Sequence, residues 1–253
     1  MTKMRVALIS DLHGNLLALD AVLGECRRLG VDRTVCLGDV ATLGPHPREV
    51  LARLRDVGCP CILGNHDEFL LDASLVEAYT EAKVVVAAID WCRNRLADED
   101  VAFLRTFRRD LALDLGEGVR LYLFHGSPAS HTTDLLATTP PDTVDQLLAG
   151  HPAEVYACGH THIQMLRQHR GAWIVNPGSV GMPFREYVGS GGGRPPTILP
   201  HTEFAVVERD GHGARVTLHR LPLDRAALAA AAEGCDNPLS PSLAAGYRRA
   251  PVA

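Results

Sequence analysis

The sequence lacks the features that mark membrane, secreted or nucleic-acid-coating proteins. No apolar run approaches the roughly 18 to 20 residues that span a bilayer, so no transmembrane helix is predicted. The chain has 25 Lys and Arg against 30 Asp and Glu, and no basic run of the kind that neutralises nucleic-acid phosphates. Its 7 cysteines are an odd number, and the short apolar start is not a signal peptide, which predicts a reduced, cytoplasmic protein.

Aromatic residues are also scarce, at 5%, but the composition is otherwise that of a folded protein. Hydrophobic residues make up 46% of the 253 positions and charged residues 22%, which excludes wholesale disorder. We expect a main domain over residues 1–222, followed over 223–253 by a C-terminal helix and a loose, Pro-containing tail. The single low-complexity segment is Gly-rich, at 189–197, and predicts a flexible loop.

Short apolar runs alternate with helix-periodic stretches along the chain, which predicts an α/β fold. Asn15 and Pro47 are placed to begin helices, and Asp98 to cap one. Residues 68–107 are predicted to be mostly helical, and further helices are expected after Thr139 and at 224–233. Strands are predicted at 4–9, 33–37, 59–63, 119–124, 154–158, 172–175, 203–208 and 214–221.

Side chains able to bind a metal follow five of these strands directly, usually beside a glycine. The carboxyl ends of strands are where α/β sheets collect ligands, and glycine lets the backbone turn sharply there. Each motif alone is more typical of a turn or a helix cap, but their conjunction favours a shared site. The segments are Asp11-Leu12-His13, Gly38-Asp39, Gly64-Asn65-His66-Asp67, His125-Gly126 and Gly159-His160-Thr161-His162.

These segments contain too many donors for one tetrahedral ion. A shared carboxylate would let them hold two ions about 3.5–4 Å apart, the spacing of two-metal phosphoester sites. Imidazole, carboxylate and amide groups suit divalent ions such as Mn²⁺, Fe²⁺ or Zn²⁺. The seven candidate ligands are Asp11, His13, Asp39, Asn65, His125, His160 and His162.

The motifs D-x-H, G-D, G-N-H-D, H-G and G-H-T-H, in that order, resemble the calcineurin-like metallophosphoesterase superfamily. The match runs from Asp11 to about Ser179. The continuation Asn176-Pro177-Gly178-Ser179-Val180-Gly181 is similar to the small phosphodiesterase branch of bacteria and archaea. The resemblance implies an αββα sandwich of four layers, in which two facing mixed β-sheets are flanked by helices and the metals lie at one end.

The resemblance also implies how the ligands divide between two ions, with Asp39 shared. One ion would take Asp11, His13, Asp39 and His162, and the other Asp39, Asn65, His125 and His160. A water or hydroxide between the ions would attack phosphorus in line. Mn²⁺ is the favoured ion, with Fe, Zn, Ni and Mg as alternatives.

The same resemblance assigns His66 to the substrate rather than to a metal. His66 would protonate the leaving oxygen or stabilise charge on the phosphoryl group. Asp67 would orient His66 and favour its charged form, and it is also placed to cap its helix, a role compatible with the first. Two more candidates are substrate contacts: Asn15, for which capping its helix is the preferred interpretation, and His131, in a polar loop.

The sequence departs from the branch after Gly181. Relatives place Gln-Pro-Arg there, whereas this chain has Met182-Pro183-Phe184. Arg185 or Arg194 is then the candidate for the missing phosphate-side arginine.

The favoured function is hydrolysis of small phosphodiesters, such as cyclic nucleotides, with a phosphoester as the only expected small-molecule partner. Two alternatives remain open: a phosphomonoesterase or protein phosphatase on the same site, and a non-catalytic scaffold. Neither a membrane nor a nucleic acid is expected as a partner, and a homo-oligomer is compatible with the resemblance.

Overall fold

Residues 4–189 and 195–249, the part of the chain described by a computed structural model, form two β-sheets with helices on their outer faces. Most of the predicted Gly-rich loop, and Arg194 with it, lies outside these described residues. In chain order the elements are β1 Arg5–Ile9, α1 Leu16–Arg28, β2 Arg33–Cys36, α2 Pro47–Asp56, α3 Asn65–Leu71, α4 Ser74–Tyr79, α5 Lys83–Arg93, α6 Asp98–Leu104, β3 Asp110–Asp114, β4 Arg120–Phe124, α7 Pro141–Leu148, β5 Val155–Ala157, β6 Met165–His169, β7 Ala172–Asn176, β8 His201–Asp210, β9 Gly213–Pro222, α8 Arg225–Glu233 and α9 Ser240–Arg248.

Both sheets are mixed. The first has the strand order β2-β1-β8-β9, with β1 parallel to β2 and antiparallel to β8. The second has the order β3-β4-β5-β7-β6, in which β4, β5 and β7 are parallel neighbours. Of the strands that precede candidate ligands, β1, β4 and β5 are interior and β2 lies at one edge of the first sheet.

The sheets pack face to face, and each carries helices on its other face. Val6 and Leu8 of β1 belong to one buried cluster with Leu121 of β4, whereas Ala7 and Ile9 pack with residues of α1 and α2. On the far side of the second sheet, residues of β4 and β5 pack with α7. Because β1 is buried on both faces, its sequence is a continuous apolar run. The predicted four-layer αββα sandwich is confirmed.

Some predicted elements are corrected by the structure. Residues 59–63 do not form a full strand: Cys61 and Ile62 make isolated bridges to Cys36 and Arg108. The cap of α6 is Ala97 rather than Asp98, because Asp100 accepts the Ala97 N–H at 2.9 Å. The edge strands β3 and β6 were not predicted.

The C-terminal tail is more ordered than expected. Residues 240–248 form α9, which packs against α8 through buried Leu243, Ala244 and Tyr247. Pro241 lies in the first turn of α9, where a missing N–H costs nothing. The expectation of a loose tail was therefore wrong for these residues, and the boundary between domains at 222/223 stays a prediction. Among the described helices, none is long and apolar enough to cross a membrane.

Candidate metal centre

The loops at the carboxyl ends of the strands bring all seven predicted ligands to one place. Asp11 follows β1, Asp39 follows β2, His125 follows β4 directly, and His160 and His162 follow β5. Two groups of donor atoms result, each with all its atoms within 4.8 Å of one another. The first is Asp11, His13 and His162, and the second is Asp39, His125 and His160.

The backbone is in the left-handed region at five of the seven residues. Their φ angles are 53° at Asp11, 42° at His13, 59° at Asp39, 69° at His160 and 57° at His162. Such angles are uncommon for residues other than glycine and cost on the order of 1–3 kcal/mol each. Hydrogen bonds hold the first two turns, since Asp11 N donates to Gly38 O at 2.9 Å and His13 N to Asp39 O at 3.0 Å. The energetically unfavourable backbone conformations are thus concentrated at the candidate metal ligands.

Glycine is required at two positions where the backbone lies so close to a carboxylate that a Cβ atom would not fit. A Cβ on Gly64 would lie 2.6 Å from the Asp39 backbone nitrogen and collide with the Asp39 carboxylate. A Cβ on Gly159 would lie 2.9 Å from Asp11 Oδ2 and collide with the Ser10 hydroxyl. The backbone therefore packs directly against two of the carboxylates.

In the first group the nitrogens and oxygens face one another closely. His13 Nε2 lies 3.1 Å from His162 Nε2, and His162 Nε2 lies 3.4 Å from Asp11 Oδ1. Asp39 Oδ2 is 3.9 Å from His13 Nε2, so this carboxylate reaches toward the first group as well as belonging to the second.

In the second group the Asn65 amide oxygen is central. It lies 3.1 Å from His125 Nε2 and 3.0 Å from His160 Nδ1. His125 Nε2 is also 3.4 Å from Asp39 Oδ2. Asn65 therefore joins Asp39, His125 and His160 as a fourth donor.

The outer nitrogens of three histidines are engaged, which leaves Nε2 of each facing the centre. Nδ1 of His125 is 2.7 Å from Leu37 O, Nδ1 of His162 is 2.7 Å from Met182 O, and Nδ1 of His13 is 3.1 Å from Thr42 Oγ1. A carbonyl only accepts, so Nδ1 carries the proton in His125 and His162. Their Nε2 lone pairs are then available to a metal.

These donors fit divalent cations. Both carboxylate oxygens of Asp11 are buried with no hydrogen-bond partner among the described residues, and burial raises the pKa of this carboxyl. Burial also lowers the pKa of His13 well below its usual range, and that of His160 to about 3. A metal ion needs neutral imidazoles as ligands, and a bound cation would in turn satisfy the buried carboxylate oxygens that have no hydrogen-bond partner.

The charges of Asp39 and His125 shift each other's pKa. Burial disfavours the charged form of both, but His125 and His66 hold the pKa of Asp39 well below its usual range. Burial would lower the pKa of His125, yet Asp39 outweighs it and raises the pKa to about 9. A cation bound here would replace the imidazole proton as the partner of Asp39.

His66 lies beside the first group, and its role toward substrate stays a prediction. Its ring packs edge-on against His13 with the centroids 5.0 Å apart, and its Nδ1 is 3.0 Å from Thr42 Oγ1. Burial lowers the pKa of His66 to about 4. Thr42 was not predicted, and nothing in a loop threonine signals such a contact.

Asp67 serves as the predicted helix cap, and among the described residues its carboxylate bonds to backbone N–H groups rather than to His66. The expectation that His66 is held in its charged form was wrong, because burial lowers its pKa to about 4. The Asp67 carboxylate accepts the backbone N–H groups of Asp39, Val40 and Gly64 at 2.8, 2.9 and 2.9 Å. Burial, together with Asp39, raises the pKa of Asp67 to about 7 against these three donors. Asp67 thus caps α3 and holds the turn that carries Asp39.

Asn15 caps α1, as the preferred interpretation predicted, and its contact with substrate stays a prediction. Its Oδ1 accepts the Ala18 N–H at 3.1 Å, and its Nδ2 donates to Gly181 O at 3.1 Å. Both polar atoms are therefore used inside the fold. His131 is buried, with Nδ1 3.2 Å from Glu68 Oε2, and its contact with substrate stays a prediction.

The segment after β7 differs from the branch pattern as the sequence indicated. Phe184, at the position of the relatives' arginine, stacks on the His162 ring with the centroids 4.1 Å apart and the planes 17° apart. Arg185 is exposed, and its backbone N–H donates to Thr197 O at 2.9 Å. A role for Arg185 at the phosphate stays a prediction.

Comparisons with known proteins agree with this geometry. The calcineurin-like phosphoesterase superfamily domain matches residues 4–191. An uncharacterised protein of Methanocaldococcus jannaschii is 28% identical over 198 residues, covering 72% of this chain and 79% of its own length.

Two solved structures share the fold over most of their length. A metallophosphoesterase of Sphaerobacter thermophilus has a TM-score of 0.72 at 26% identity, covering 97% of this chain and 100% of its own. A hypothetical protein of Pyrococcus horikoshii has a TM-score of 0.71 at 18% identity, covering 88% and 90%. The chain belongs to the calcineurin-like phosphoesterase superfamily, and membership implies a metal-dependent phosphoesterase.

Proposed function

We propose that the protein is a phosphodiesterase that uses two divalent ions, with Mn²⁺ favoured, in a cytoplasmic setting. The observation that carries the proposal is the pair of donor groups, which lie side by side, with Asp39 Oδ2 close to a histidine of each group. One ion would be held by Asp11, His13, Asp39 and His162, and the other by Asp39, Asn65, His125 and His160. When bound, such ions polarise a phosphoryl group and lower the pKa of water.

The chain's own residues fix the proton positions around this site. For His13 to offer Nε2 to a metal, its Nδ1 must carry the proton and donate it to Thr42 Oγ1, 3.1 Å away. The Thr42 hydroxyl then donates to His66 Nδ1, 3.0 Å away. His66 is left with its proton on Nε2.

A neutral His66 with Nε2–H is a hydrogen-bond donor at neutral pH, since burial lowers its pKa to about 4. It would donate to the leaving oxygen or to a phosphoryl oxygen as charge develops there. Such a hydrogen bond would stabilise charge on the alkoxide leaving group of either ester, and diesters are favoured because residues 176–181 resemble the small phosphodiesterase branch. A phosphomonoester substrate remains the second candidate, since the same machinery cleaves both.

The test is turnover of bis-p-nitrophenyl phosphate against p-nitrophenyl phosphate by chelated protein reloaded with Mn²⁺. We expect a higher kcat/KM for the diester, and loss of activity without added metal. Asp39→Ala should abolish turnover. The control is Asp145→Ala: Asp145 lies on α7 and pairs with His169, outside the centre, so this substitution should leave turnover unchanged. Preference for the monoester would contradict the diester assignment, and no activity on either would favour the scaffold.

A further inference from the structure

His160 presents a different nitrogen to the centre from the other three histidines. His160 Nδ1 faces Asn65 Oδ1 at 3.0 Å, whereas the others present Nε2. Its outer nitrogen is therefore Nε2, and the group facing that atom is a carboxylate oxygen of Asp134 at 3.5 Å. In His125 and His162 the outer nitrogen meets a backbone carbonyl, and in His13 it meets a hydroxyl.

Asp134 comes from the loop between β4 and α7, and a second side chain holds it. Tyr187, in the segment between β7 and β8, donates its hydroxyl to Asp134 Oδ2. The two carboxylate oxygens thus serve two partners, the imidazole and the phenol. Asp134 retains 31% side-chain exposure, so this contact lies at the rim of the site.

The segment that carries Tyr187 reaches both histidines of the Gly159–His162 turn. Met182 O accepts from His162 at 2.7 Å, and Phe184 stacks on its ring. Tyr187, farther along, reaches His160 through Asp134. One segment therefore contacts a predicted ligand of the first ion directly and reaches a predicted ligand of the second through Asp134.

We propose that Asp134 is a positioning residue for His160: its carboxylate keeps the proton on Nε2, so that Nδ1 offers its lone pair to the second ion. Tyr187 fixes the carboxylate for this purpose. The inference rests on the proposed two-ion site. Carboxylate partners of this kind set the ring orientation and raise the basicity of a metal-binding imidazole.

The experiment is calorimetric titration of Mn²⁺ into the chelated, full-length protein, resolving two dissociation constants. The variants are Asp134→Ala, Asp134→Asn and Tyr187→Phe, with His160→Ala to identify which constant belongs to the second ion. Asp145→Ala is the matched control, because Asp145 lies 2.7 Å from Nε2 of His169, an imidazole outside the centre.

His160→Ala should abolish binding of the second ion. Asp134→Ala should weaken binding of that same ion by about 10–100-fold, the usual effect of losing such a partner. The other constant should stay unchanged. Asp134→Asn keeps an accepting oxygen without the charge and should fall between Asp134→Ala and wild type. Tyr187→Phe should weaken the same constant by about 2–10-fold, as one lost hydrogen bond does. Asp145→Ala should change neither.

Two results would overturn the inference: unchanged constants in folded Asp134→Ala and Asp134→Asn, or equal weakening of both constants. These differ from a failure of the proposed function. If wild-type protein bound one ion or none, the two-ion site itself would be wrong, whatever the variants did.

Discussion

At the scale of single residues, the centre depends on which nitrogen of each imidazole carries a proton. Thr42 links two of these rings, because its hydroxyl lies 3.1 Å from His13 Nδ1 and 3.0 Å from His66 Nδ1. A hydroxyl can accept from one and donate to the other. The proton on His66 is thereby tied to metal binding at His13, although His66 itself is not a predicted ligand.

This link predicts the behaviour of a double-mutant cycle. His66→Ala should lower kcat by about 10²–10⁴, the usual range for a lost acid–base group, and leave bound metal per chain unchanged. Thr42→Val removes the hydroxyl at nearly constant volume and should lower kcat in the wild-type background. In the His66→Ala background Thr42→Val should have little further effect. Thr42→Ser, which keeps the hydroxyl, is the control.

Additive effects of the two substitutions would mean that Thr42 acts on something other than His66. Full turnover by His66→Ala would remove His66 from the reaction. Steady-state kinetics and metal analysis of the same samples distinguish these outcomes.

Residue identities at strand ends were sufficient to predict that these seven side chains lie together, but not which residues surround them. The resemblance assigned Asp67 to His66, beside its role as a helix cap. They lie on one helix, α3, where successive side chains diverge and do not face each other. Thr42 and Asp134 reach their histidines from loops 24 and 26 residues away in sequence, a relation that no local pattern encodes.

At the scale of elements, the tight turn before α3 shapes the site. Gly64 has its nitrogen 2.9 Å from Asp67 Oδ2, while the backbone packs against Asp39. There is no room for a side chain on this turn. The glycines that accompany the donors thus allow close packing as well as sharp turning.

Gly64→Ala should accordingly displace Asp39 and weaken binding of both ions. Overpacking of this kind costs about 1–3 kcal/mol of stability. The control is Gly246→Ala in α9, where a Cβ meets no atom within 4 Å. It should raise stability by roughly 0.5–1 kcal/mol, as alanine does in a helix. Thermal melting and bound metal per chain measure both variants, and a Gly64→Ala protein with two ions and an unchanged Tm would refute the argument.

Secondary structure was predictable in the interior of both sheets, where burial gives a strong period, and not at the edges of the second sheet. β1 and β4 are apolar and central, and both were predicted within a residue or two of their ends. β3 alternates exposed and half-buried residues at one edge of the second sheet, and β6 is polar at the other. An edge strand buries little, so its sequence carries only a weak hydrophobic signal.

At the scale of the whole molecule, the C-terminal helices support the site from outside the matched family region. Leu228 of α8 and Leu243 of α9 share a buried cluster with Met182, and Phe184 packs against it. Met182 and Phe184 are the residues that contact His162. Composition and the Pro spacing gave no sign of this packing, because α9 is short and its buried face depends on α8.

The most direct test of the two-ion centre is a crystal structure of Mn²⁺-loaded protein with anomalous difference maps. We expect two peaks about 3.5–4 Å apart, with Asp39 contacting both. Asp11, His13 and His162 should surround one peak, and Asn65, His125 and His160 the other. A single peak, or ions bound away from these residues, would contradict it.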